Sequence, residues 1–103
     1  MRQTEKVLLD IQEERERQIR VKGWTEAHDD EHDGGTLAAA ASAYACCAAS
    51  QAWNPDYDPT LVPCLGWPWD SKFWKPRDAR SNLVRAAALI VAEIERIDRK
   101  EQR

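Results

Sequence analysis

A chain of 103 residues, 43% hydrophobic and 32% charged, supplies one modest core and excludes a second. Its net charge of −3 excludes the global positive field that holds long nucleic acid through counterion release, so any anion must meet a local cluster. The sequence lacks an apolar run near the roughly 20 residues of a membrane span. Its start, MRQTEKVLLDIQEER, has no signal-peptide core. A cytoplasmic protein without a membrane partner is expected.

The pattern predicts an all-α domain over residues 1–103, an antiparallel three-helix bundle with helices at about 4–22, 36–52 and 79–100. In the first, Thr4 is the expected N-cap, and Val7, Leu8, Ile11, Arg15, Gln18, Ile19 and Lys22 share a face that turns polar after Ile11. Glu13 with Arg17 and Glu16 with Arg20 are spaced as i,i+4 ion pairs. EERERQ (13–18) has two readings. It is a solvated face, or Glu14, Arg15 and Gln18 continue the inward stripe and must find partners in a metal, a ligand or one another.

Gly23 is placed as a C′ glycine. The polar run His28 to Asp33 follows, with two imidazoles four apart among carboxylates. That run suits either a divalent cation or the dipole of a following helix, and it is not the HExxH arrangement. Trp24, His28 and His32 are candidate ligand-binding residues beside Glu14 and Gln18.

The second helix, TLAAAASAYACCAASQA, is charge-free and alanine-rich. High intrinsic propensity forms it, and its surface predicts burial at a bundle centre or a subunit interface. Tyr44, buried there, needs a hydrogen-bond partner, expected from the first helix's polar stripe. Cys46, Cys47 and Cys64 are expected to be reduced, because adjacent helical cysteines have poor disulfide geometry and no CxxC spacing occurs.

Residues 53–80 hold all five prolines and four of the five tryptophans, a composition that predicts an ordered connection rather than a disordered one. Within it LGWPWDSKFWKPRDAR (65–80) sets Trp67, Trp69, Phe73 and Trp74 among Lys72, Lys75, Arg77 and Arg80. Indole faces stack on bases, and cations at a helix N-terminus attract phosphate. The same stretch also reads as a rigid plug over the core, with lysine and arginine stems lying on the rings. Asp78 or Ser81 starts the third helix, where Leu83, Val84, Ala87, Ile90, Val91, Ile94 and Ile97 make the strongest periodic stripe in the chain.

Two resemblances bear on function. In scale and helix order the chain resembles the MazG-type nucleotide pyrophosphohydrolases, which place ExxE on one helix and ExxD on a later one. Here the second helix carries no acid, so their four-carboxylate cage has no equivalent in that arrangement. EERERQ (13–18), GWTEAHDDEH (23–32), LAAAASAY (37–44), WPWD (67–70), WKPRDAR (74–80) and LVRAAALIVAEIERIDR (83–99) are similar to a group of small proteins encoded by phages and prophages. That resemblance implies a phage origin, action in the host cytoplasm, and an anti-defence role such as a sponge for a nucleotide signal.

The expected function is therefore binding of a small nucleotide or phosphorylated metabolite by a homodimer or higher homo-oligomer, with no catalytic residues, resident cofactor or metal. A magnesium-dependent pyrophosphohydrolase and a protein-interaction module are the alternatives. Glu14, Gln18, Trp24, His28, His32, Tyr44, Trp67, Trp69, Lys72, Trp74, Lys75, Arg77 and Arg80 are the candidate ligand contacts.

Overall fold

The structure, a computed structural model, describes residues 2–31 and 35–102. It is all-helical, with α1 (Gln3–Arg20), α2 (Glu26–Asp30), α3 (Thr36–Trp53) and α4 (Ala79–Gln102), plus a single 3-10 turn at Ser71–Phe73. Four helices rather than three occupy the described residues. The additional one is α2, cut from the acidic run that the sequence assigns to capping. Thr25 starts it by accepting from the His28 N–H at 3.2 Å. No helix among the described residues is long and apolar enough to cross a membrane.

Each boundary has a local cause. Thr4 lies inside α1, whose N-cap is Arg2, without a side-chain cap. The positive φ of Gly23, 74°, turns the chain so that the Trp24 N–H reaches back to the Gln18 carbonyl at 3.0 Å. Asp78 caps α4 by accepting from the Ser81 N–H at 3.1 Å and the Ser81 hydroxyl at 2.6 Å. Wholly buried Asn82 then fastens α4 to its neighbours. Its Nδ2 donates to Gln51 Oε1 on α3 and to the Arg77 carbonyl, each at 2.9 Å, and its Oδ1 accepts from the Arg77 N–H.

The core lies between α3 and α4. Leu37, Ala40, Ala41, Ala43, Tyr44 and Cys47 of α3 meet Ala86, Leu89 and Ala92 of α4, and small side chains let the two helices approach closely. All three cysteines are free, and burial pushes the Cys47 thiol up to about 11, far from thiolate formation at neutral pH. The charge-free surface of α3 is not covered all round: Ala38, Ser42, Ala45, Cys46 and Ala49 are exposed. Methyl and hydroxymethyl groups expose little area, so the cost of leaving them in water is small.

The hub is instead α4, which packs against α3, α1 and α2. Its large apolar stripe faces away from that packing: Leu83, Ile90, Ile94 and Ile97 are 40–53% exposed, whereas Asn82, Ala86, Ala88, Leu89, Ala92, Glu93 and Arg96 are buried. The helix carries two stripes of similar period, and the small-residue one matches the alanine face of α3.

The long connection is ordered over α3. Trp74, 6% exposed, stacks on Tyr44 with centroids 4.8 Å apart and donates its indole N–H to the Pro59 carbonyl at 2.7 Å. Trp67 meets both rings edge-on. A Cβ on Gly66, whose φ is 98°, would stand 3.0 Å from Ser42 Oγ, so the loop can lie this close to α3 only with glycine there.

Polar groups dominate how α1 is held. Its fully buried residues are Arg15 and Gln18, while Leu8 and Leu9 are 60% and 41% exposed. Arg15 donates to Asp29 Oδ2 at 2.7 Å, to the Trp24 carbonyl at 3.2 Å and to Glu95 Oε1 at 3.2 Å. Arg99 of α4 adds a bond to Asp30 at 2.9 Å. Arg15→Met leaves Asp29 buried without its cation and should lower unfolding free energy by about 3 kcal/mol in urea denaturation. Trp74→Ala, which empties the centre of the Tyr44–Trp67–Trp74 cluster, should cost about 3–5 kcal/mol in the same assay.

Candidate functional site

The turn of α1 that contains Arg15 also presents Glu14, Arg17 and Gln18 toward α4 and the end of the long connection. Arg17 grips Glu14 with both arms, Nε at 2.7 Å and Nη2 at 2.9 Å, rather than pairing with Glu13 as the i,i+4 spacing suggests. Glu14 is half-buried and offers the better-shielded fork. Burial alone would raise its carboxyl, but Arg17, the Gln18 amide and the Arg85 charge together hold it below the usual range, so it is ionised and accepts only. The Gln18 amide is thereby oriented. Its Nε2 donates to Glu14 at 3.2 Å, and its Oε1, buried, has no hydrogen-bond partner.

Across from α1 stands Arg85 of α4. Its guanidinium lies 5.6 Å from the Tyr44 ring centroid, and its Nη1 donates to the Lys75 carbonyl. Burial raises the Tyr44 phenol, which stays protonated against Arg85 and the Lys75 backbone. The polar groups that bear on the phenol are thus Arg85 of α4 and the Lys75 backbone of the connection, and not the polar stripe of α1 that the sequence suggests.

Three adjoining hollows share Arg17 and Arg85. The innermost, 260 Å³, is lined by Glu14, Gln18, Lys22, Trp24, Tyr44, Phe73, Lys75 and Leu89 in addition. A second, 570 Å³, runs past Lys22, Thr60, Trp74, Lys75, Pro76 and Arg77. The third, 390 Å³, opens toward Asp10, Glu13, Glu14, Arg77, Arg80, Ser81 and Val84. Arg17, Lys22, Lys75, Arg77, Arg80 and Arg85 thus face Asp10, Glu13 and Glu14, a local excess of cations in a chain whose net charge is −3. Arg80 is held by Asp10 at 2.7 Å. Among the described residues no carboxylate forms an ion pair with Lys22, Lys75, Arg77 or Arg85.

An aromatic hollow of 200 Å³, lined by Trp24, His28, Trp67, Trp69 and Phe73, adjoins the innermost one through Trp24 and Phe73. Trp24 lies parallel to His28, with centroids 6.3 Å apart. Phe73 is 57% exposed, with the Lys72 ammonium 5.1 Å from its centroid.

Of the residues singled out in the sequence, Glu14, Gln18, Trp24, Tyr44 and Lys75 come together in the innermost hollow, and Trp74, Arg77 and Arg80 line its extensions. His28, Trp67 and Trp69 lie in the aromatic hollow. Lys72 lines none of the four, and His32 lies outside the described residues. Trp74 contributes an edge of the cleft but is buried and stacked on Tyr44, whereas Trp24 is half-buried and Phe73 exposed. Sequence reasoning missed Arg17, Lys22 and Arg85, and counted Phe73 in the aromatic stretch without carrying it into the candidate contacts. The available signal for Arg85 was a cation four residues before Leu89, on the face of α4 that turns inward.

Acids spaced three apart, as a magnesium site on a helix would need, include Glu13 with Glu16, Glu26 with Asp29, and Glu95 with Asp98. Glu13, Glu16, Glu26 and Asp98 are exposed, and Asp29 and Glu95 both turn to Arg15. Among the described residues no three histidines, cysteines or acids gather as metal ligands. Comparison with family models, with curated proteins and with solved structures finds no match to this chain.

Proposed function

We propose that this protein binds a small nucleotide, or another phosphorylated metabolite with an aromatic group, in the cleft between α1, α4 and the long connection, without covalent chemistry. The observation that carries the reading is the convergence of unpaired cations, Lys22, Lys75, Arg77 and Arg85, beside a half-exposed aromatic wall in an acidic chain. Charge-assisted hydrogen bonds contribute about 1.5–3 kcal/mol each and base stacking about 1–3, so two of each support micromolar or tighter binding. The resemblance to phage-encoded proteins supports reading this binding as capture of a host defence nucleotide. Titration calorimetry against ribonucleoside di- and triphosphates should give saturable heat that weakens with salt, and Lys75→Ala should weaken it about tenfold. Absence of heat with every nucleotide sinks the reading, and pyrophosphate release that EDTA abolishes replaces it with the hydrolase.

Self-association has its own support. Leu83, Ala87, Ile90, Ile94 and Ile97 follow the alternating 4-3 spacing of a coiled-coil seam, and the four large ones are exposed. A second copy presents the same seam, as a two-fold contact requires. Light scattering should report a dimer or larger assembly, and Ile90→Lys with Ile94→Lys should reduce it to a monomer that keeps its helicity. A wild-type monomer at micromolar concentration refutes this assembly.

A further inference from the structure

The Gln18 amide is locked in one sense, and the locking has a consequence for ligand choice. Glu14, ionised, can only accept, so Gln18 must give it the Nε2 hydrogen and turn Oε1 the other way. That oxygen is buried in a side chain only 1% exposed, and it has no donor. An orphaned buried acceptor is costly to keep. Gln18 nevertheless lines the innermost hollow, together with the exposed side chains of Phe73 and Lys75. These two are the parts of the wall that can yield to an incoming ring, since neither is packed in the core.

We propose that Gln18 Oε1 is the specificity element of the cleft. It accepts a hydrogen bond from the exocyclic amino group of the bound base, so the site favours amino-bearing bases over uracil, whose one edge donor, N3–H, is flanked by two carbonyls that oppose the acceptor. The inference rests on the nucleotide reading above and adds the class of base to it. The geometry separates two tasks. Lys22, Lys75, Arg77 and Arg85 meet phosphate whatever the base, whereas Gln18 discriminates between bases and contributes nothing to phosphate. A uracil turned toward Oε1 through a carbonyl sets acceptor against acceptor and leaves the orphan in place. An amino N–H converts the same contact into a hydrogen bond in a dry, low-dielectric setting. The neighbouring carboxylate reinforces this. With Glu14 ionised beside it, the amide cannot flip to offer Nε2 without facing oxygen against oxygen at 3.2 Å.

The experiment is calorimetric titration of the full chain with the adenosine, cytidine, guanosine and uridine triphosphates, and with purine riboside triphosphate, which is the adenosine ligand without its amino group. At least one amino-bearing nucleotide should bind about tenfold or more tightly than uridine triphosphate. If that one is adenosine triphosphate, purine riboside triphosphate should fall to the uridine level. Gln18→Met should abolish the preference while retaining the salt-dependent, phosphate-driven part of binding. Equal binding of all four nucleotides overturns this inference and leaves the nucleotide reading standing. A preference that survives Gln18→Met also overturns it. Failure of every nucleotide to bind overturns the reading and this inference together. The wild-type panel decides the first question even if the variant does not fold.

Discussion

Arg15 is the constraint on which the arrangement of this protein depends. From the middle of α1 its guanidinium reaches Asp29 in α2, the Trp24 carbonyl in the intervening turn and Glu95 in α4. A helix with exposed leucines and only two fully buried residues has little hydrophobic reason to choose one rotation over another. A forked, planar ion with fixed donor directions supplies that choice. Burial pushes the Asp29 carboxyl up, against the pull of Arg15 and His28, which marks how much desolvation the pair endures. Such a pair adds little net stability over an apolar replacement, and its contribution here is orientation. Glu14 and Gln18, neighbours of Arg15 along the helix, are aimed into the cleft as a result.

The long connection both closes the core and lines a cleft, so the two readings of its sequence do not exclude one another. Trp74 and Tyr44 stack on each other and close the core, with Trp67 edge-on to both. Those faces are spent on one another, whereas Trp24 packs against the core only in part and Phe73 is largely exposed. Proline-rich backbone on either side of Trp74 makes this division rigid. The cations carried on the same stretch, Lys75 and Arg77, therefore arrive at the cleft at fixed positions while their side chains remain exposed.

Much of the fold could be read from the sequence, and the misreadings have physical causes. Helix propensity marked α3, Asp78 marked the start of α4, and Gly23 marked the end of α1, because each depends on neighbours within a few residues. The five-residue α2 spans too little chain to show a helical period, so its acids read as a capping run. On α4 the large aliphatic residues gave the clearer stripe, yet the helix buries its alanines. Nothing local tells which of two stripes α3 will match, since that depends on the size of the residues opposite. In the site, the polar stripe Glu14, Arg15, Gln18 was legible because polar groups on an inward line demand partners. Arg85 was not, since a single arginine on a helix looks like a solvated charge until the loop folds over it.

The charges in the cleft also set what kind of anion it can hold. Two of its six cations already have carboxylate partners: Arg17 has Glu14, and Arg80 has Asp10. A monoanion gains from Lys22, Lys75, Arg77 and Arg85 but meets repulsion from the acids nearby, and at the surface such gains are small and screened. Each further negative charge engages another cation without adding another acid to oppose it. The stronger anion can also draw Arg80, half-exposed on Asp10, away from a partner that costs little to leave. Affinity should therefore rise steeply with the number of phosphates, more steeply than one charge at a time on an unopposed basic patch. On the proposed reading, carboxylates set among the cations would discriminate against monovalent anions abundant in solution, which would give an overall negative chain a physical reason to keep an anion cleft.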